Sequence, residues 1–233
     1  MKKSIVLTTA VAAALTSSVA AAEVTANAAF VSNYIWRGVT QTIDQAAAQG
    51  GIDWGHESGL YVGTWVSNID FSGDFGFGYE IGNGYEMDFY AGFANEIGGL
   101  GYDVGVATYQ YPVTPNISFT EAYISATASI VTVGVNYTVD AGSANKDLAF
   151  DTGDMYFSAS LDFPVGKTEV SIYGGTYKFE NDGITPGYNI DYSNFGASIG
   201  KDGFTFAIDK NDIEGGNADN VRVSVGYGLD FEL

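Results

Sequence analysis

The stretch VRVSVGYGLDFEL, residues 221–233, alternates from end to end. Val221, Val223, Val225, Tyr227, Leu229, Phe231 and Leu233 share one face of an extended chain, while Arg222, Ser224, Gly226, Gly228, Asp230 and Glu232 share the other. Successive side chains of a β-strand point to opposite faces, so a period of two predicts a strand with one apolar and one polar environment. The same alternation returns in Tyr85, Met87, Phe89, Ala91 and Phe93, opposed by Glu86, Asp88, Tyr90 and Gly92. It recurs over 131–139 and 155–163.

Extending the pattern outward predicts twelve strands: 27–37, 46–55, 59–67, 84–96, 100–111, 118–127, 131–139, 153–163, 168–178, 188–199, 203–210 and 220–233. The connections between them alternate in length. Those at 56–58, 97–99, 128–130, 164–167 and 200–202 are tight, whereas 67–84, 140–152, 179–187 and 211–220 are long. Short turns on one rim and long loops on the other suit an all-β, antiparallel up-and-down transmembrane barrel with both termini on the periplasmic side. Pro112, Pro115, Pro164 and Pro186 all fall in connections, where the missing amide proton costs no ladder bond. The segment 67–84 carries its own alternating Phe75, Phe77, Tyr79 and Ile81, leaving an external loop or an extra hairpin that would raise the count to fourteen. A soluble β-sandwich also alternates, so periodicity alone leaves that alternative open.

Met1, Lys2 and Lys3, then an apolar run to Val19 and a small-residue site at Ala20, Ala21 and Ala22, predict a secretory signal peptide over 1–22, with the barrel occupying 23–233. No segment beyond it is an apolar run long enough for a spanning helix, so a membrane crossing is made by strands. With nine Lys and Arg against 28 Asp and Glu, the net charge of −19 repels a phosphate backbone, and no nucleic acid is expected as a partner. The absence of cysteine removes disulfides and thiolate metal sites together. The terminal Gly228, Leu229, Phe231 and Leu233 resemble the assembly signal of outer-membrane barrels, which implies outer-membrane lipid and the barrel-assembly machinery as partners of the last strand.

Three further stretches carry a family resemblance. SNYIWRGV at 32–39, QGGID at 49–53 and ESGLYVGTW at 57–65, with EMDFY at 86–90 and TEAY at 120–123, resemble the TorF-type porins, a proteobacterial outer-membrane family formerly filed as a domain of unknown function. The resemblance implies an outer-membrane barrel and a channel, with no solute attached to particular residues.

With the more apolar faces turned to lipid, the inward residues become candidates for lining a pore: Arg37, Asp53, Glu86, Asp88, Asp103, Glu121, Asp162, Glu169 and Arg222. An acidic lumen with low-dielectric walls favours cations, so passive diffusion of small cationic or neutral solutes through the Gram-negative outer membrane is the expected function. A non-conducting barrel with a structural or surface-binding role is the alternative. Tyr34, Trp36, Trp54 and Tyr227 are candidates for the interfacial aromatic belt, which places Arg37 near the end of the first strand and toward the outer mouth. Enzymatic activity is not expected, since the lone His56 falls in a tight turn. No cofactor or metal site is expected either: the loop acids Asp70 and Asp74, or Asp147, Asp151 and Asp154, match no defined calcium spacing.

Overall fold

The structure, a computed structural model, describes residues 22–72, 82–113, 117–142, 151–183, 189–214 and 217–233. The expected leader peptide, the Phe75 to Ile81 alternation, Asp74, Asp147, Pro115 and Pro186 lie outside the described residues.

The strands are β1 (Glu23–Val31), β2 (Ile35–Trp36), β3 (Val39–Thr40), β4 (Ala47–Gly55), β5 (Leu60–Phe71), β6 (Gly82–Ile97) and β7 (Leu100–Gln110), followed by β8 (Phe119–Ala128), β9 (Val131–Ala141), β10 (Met155–Val165), β11 (Thr168–Lys178), β12 (Tyr192–Lys201), β13 (Phe204–Asn211) and β14 (Arg222–Glu232). Every strand except β2 and β3 pairs antiparallel with its chain neighbours, and β1 pairs with both β4 and β14, which closes a twelve-stranded barrel. A single closed sheet excludes the soluble sandwich. Closure also leaves no unpaired edge, which a strand in hydrocarbon cannot tolerate.

Exposure is inverted relative to a water-soluble protein. Phe30, Phe89, Val106, Ile124, Phe195 and Val223 face outward and are exposed, whereas Glu86, Asp88 and Glu121 are at most 1% exposed. Charged side chains are almost never fully buried in soluble domains, so carboxyls inside and exposed apolar side chains outside define a wall made for lipid. The inside is an aromatic cluster that includes Tyr34, Trp36, Tyr109, Phe119, Tyr156 and Tyr177.

The first strand departs from the expected 27–37. It starts at Glu23 and ends at Val31, and residues 32–46 fold back into the lumen as a small hairpin of β2 and β3. Its turn is Arg37 and Gly38, with φ of 49° and 79°, the pair of left-handed residues that a two-residue hairpin turn requires. Alternation persists through both arms of a hairpin, so the period of two runs across the break without revealing it.

Candidate functional site

The hairpin plugs the end of the barrel that carries the long loops, and its contacts reach almost every wall strand. Arg37 is 5% exposed and donates from Nη1 to Glu121 Oε1 at 2.8 Å and from Nη2 to Glu121 Oε2 at 2.6 Å. Its guanidinium carbon lies 4.2 Å from the ring centroid of Trp36, 4.3 Å from Tyr156 and 5.0 Å from Tyr177. A planar fork on a carboxylate, enclosed by π faces, suits arginine rather than lysine. Burial works against a charge on Arg37, yet the carboxylate of Glu121 reverses the balance and holds its pKa well above the ordinary arginine value. Glu121 is oriented by the wall as well: Asn136 Nδ2 donates to Oε2 at 3.1 Å, Tyr109 Oη to Oε2 at 3.4 Å and Tyr177 Oη to Oε1 at 3.4 Å.

The rest of the hairpin is held at several points. Tyr34 Oη donates to Glu86 Oε1 at 3.0 Å, and its ring meets Trp65 edge-on at 5.4 Å between centroids. Burial and the nearby Glu86 and Asp88 push the Tyr34 hydroxyl pKa upward, so it remains a donor. Trp36 packs edge-on against Tyr109 at 5.8 Å. Asn211 Nδ2 donates to the Gly38 carbonyl at 2.7 Å, and the Asp70 amide donates to the Gln41 carbonyl at 2.9 Å. Asp44 accepts from Arg222 Nε at 2.8 Å and from Asn33 Nδ2 at 2.8 Å. Arg222 also donates to the carbonyls of Ala218 and Asn217, which ties the last long loop to the plug. Beside the plug, a recess of about 250 Å3 is lined by Thr42, Gln45, Asn68 and Asp70 among others.

Five non-glycine residues among those described have positive φ, and three of them, Arg37, Ile43 and Asp44, lie in this segment. For the β-branched Ile43, at φ 48°, that conformation is a strained one. Strain is therefore concentrated in the plug rather than in the wall.

Below the plug the wall is lined by acids that meet hydroxyls and amides. Asp53 accepts from Tyr90 Oη and, at 3.4 Å, from Asn27 Nδ2. Asp103 accepts from Tyr61 Oη at 2.6 Å, and Tyr61 in turn bonds Tyr123. Asp209 accepts from Tyr173 Oη at 2.8 Å. Asp88 is fully buried and faces another carboxyl, Glu86, so the two meet through a shared proton. Asp162 is exposed near the short-turn rim and accepts from Ser160 and Ser171 at 2.6 Å each. Glu169, opposite Gly200, is half-buried near the same rim. His56, in the first short turn, has Nδ1 2.9 Å from Ser58 Oγ.

Several sequence expectations change. Arg37 belongs to the plug and not to a wall strand. Tyr34 and Trp36, 5% and 7% exposed, lie inside the lumen and take no part in an outer belt. Trp54 and Tyr227 do face outward near the short-turn rim, Trp54 stacked on His56 and Tyr227 against Phe204. The alternation offered no sign of Tyr109, Asn136, Tyr156, Tyr177 and Asn211 as contact residues. Reading Arg37 and Gly38 as a hairpin turn is the step that would have pointed to them, because a plug needs inward tyrosines and amides to rest on.

The chain matches the profile of a family described as bacterial protein of unknown function (Gcw_chp) over residues 15–225, and it belongs to that family. No curated protein matches it in sequence. Among solved structures it is similar to the NanC porin, at 12% identity and a TM-score of 0.54, covering 90% of this chain and 100% of that one. It is also similar to a protein solved in work on in-meso crystallization of membrane proteins, at 9% identity and a TM-score of 0.53, covering 90% and 83%. The outer membrane phospholipase A of Escherichia coli aligns over 88% of this chain and 95% of its own, at 11% identity and a TM-score of 0.43. The likeness to the first two is one of fold: a barrel of the outer-membrane type.

Proposed function

We propose that the protein is an outer-membrane channel for passive diffusion of small cationic or neutral solutes, closed here by its own first long loop. The reading includes export by the N-terminal leader, insertion through the last strand, and no catalysis. The single observation that carries it is the charge balance of the interior. The two inward arginines are each paired, Arg37 with Glu121 and Arg222 with Asp44, whereas Asp53 and Asp103 have no basic side chain within ion-pair distance among the described residues. The net interior field therefore favours cations. The resemblance to TorF-type porins supports the same reading.

Planar-bilayer recording tests it. Under a KCl gradient the reversal potential is expected to be cation-selective, and Asp53→Asn with Asp103→Asn to weaken the preference; anion selectivity would overturn the argument. One observation favours the non-conducting alternative: Tyr109 and Tyr177, at 2% and 0% exposure, fill the lumen beside the plug. Electrical silence of both the intact protein and a version lacking the hairpin would select that alternative.

A further inference from the structure

We infer that the wall around Glu121 is a recognition site for guanidinium-bearing solutes, and that Arg37 occupies it as a tethered stand-in; the inference rests on the channel reading and names its solute class. Three observations carry it. First, most of the site belongs to the wall. Glu121 comes from β8, and the groups that orient it or cover the cation, Tyr109, Asn136, Tyr156 and Tyr177, come from β7, β9, β10 and β11. Of the groups touching the guanidinium, only Trp36 travels with the hairpin. Second, the geometry selects a planar fork. Both carboxylate oxygens are engaged, at 2.8 and 2.6 Å, and the rings of Tyr156 and Tyr177 lie over the cation. Two parallel N–H···O bonds from one flat group, with rings over it, are contacts of a planar guanidinium rather than of an ammonium or a metal ion.

Third, Arg37 stands where its backbone is least suited. A two-residue hairpin turn favours Asn, Asp or Gly at a φ of +49°, and arginine gains nothing there except through its side chain. The hairpin therefore presents to the wall what an arriving solute with a guanidinium group would present. Such a solute competes with Arg37 for Glu121, and its arrival loosens the plug at a buried contact. Closure and recognition become one equilibrium, in which the solute binds the open state and Arg37 the closed one.

The test uses the full chain in detergent, with methylguanidinium as probe and the isosteric neutral methylurea as control. Arg37→Ala leaves Glu121 without its cation. Methylguanidinium at millimolar concentration is expected to raise the melting temperature of this variant saturably. Methylurea should have no effect, and the response should vanish in Arg37→Ala combined with Glu121→Gln. If Arg37→Ala does not reach the folded form, methylguanidinium added during refolding should recover it. Absence of both the saturable shift and the recovery overturns the site, whatever current the barrel passes. A second readout addresses recognition in the intact protein: the probe should increase cleavage of the hairpin by added protease, again in a Glu121-dependent manner. Protection unchanged at saturating probe would reduce Arg37 to a structural pair and overturn the competition. Because the thermal and proteolytic readouts need no current, electrical silence of both the intact and the hairpin-less protein with a positive shift rejects the channel reading and keeps the site.

Discussion

Arg37 and Glu121 are a buried ion pair, and such a pair is costly to halve. Removing either charge alone strands the other away from water, at about 3–5 kcal/mol, while replacing both by apolar or neutral groups of similar size costs far less. Arg37→Met and Glu121→Gln are each expected to lower stability by about that amount in urea unfolding, and the double variant to recover most of the loss. Additive losses would mean that the pair is not coupled. Asp88 presents a different case. Its buried carboxyl faces that of Glu86, and two such groups meet only through a shared proton. An amide keeps a donor toward Glu86 without needing that proton, so Asp88→Asn should leave the urea midpoint within about 1 kcal/mol of the parent, whereas Asp88→Ala, which strands Glu86, should lower stability by about 1–3 kcal/mol with unchanged slope. Equal losses in the two variants would argue against a donor at this position. At this scale the sequence was legible wherever a residue sits on a strand, because parity alone fixes the face of Glu86, Asp88 and Glu121. It was not legible for Arg37, whose partner lies 84 residues away and whose own segment is not a wall strand.

The element that escaped the sequence is the hairpin of β2 and β3. Each arm is two residues long, too short for periodicity to separate from the strand before it, and only the Arg37 and Gly38 dipeptide marks the reversal. The wall strands, by contrast, are 8 to 16 residues long and joined alternately by tight turns and long loops, so their number and order follow from alternation and connection length. The hairpin should behave as a removable part, since no wall ladder passes through it. Replacing 33–44 by a short glycine and serine linker is expected to leave the twelve-stranded barrel folded and to raise single-channel conductance several-fold. Unchanged conductance would place the constriction elsewhere. Conversely, Ile43→Gly relieves a left-handed β-branched residue and should make the closed state more persistent, by about 1 kcal/mol. Longer closed times in single-channel records would register it, and shorter ones would contradict the assignment of strain to the plug.

For the whole molecule, the closed ladder sets the behaviour. Twelve strands enclose more space than wall side chains alone fill, which is why a loop comes to fill one end while the other stays lined by acids and tyrosines. A sheet closed on itself unfolds only by opening the ring, so the unheated protein should run on a denaturing gel at a different position from the boiled one. Identical migration before and after boiling would argue against a membrane barrel. The plug adds a constraint on time. Its grips include Asn211 and Arg222, which follow their partners Gly38 and Asp44 by 173 and 178 positions. Although the hairpin is synthesised early, its seat is unfinished until β13 and β14 have joined, and β14 is also the strand that completes the ring with β1. The early hairpin therefore takes its final seat only late, once the last two strands of the chain are in place.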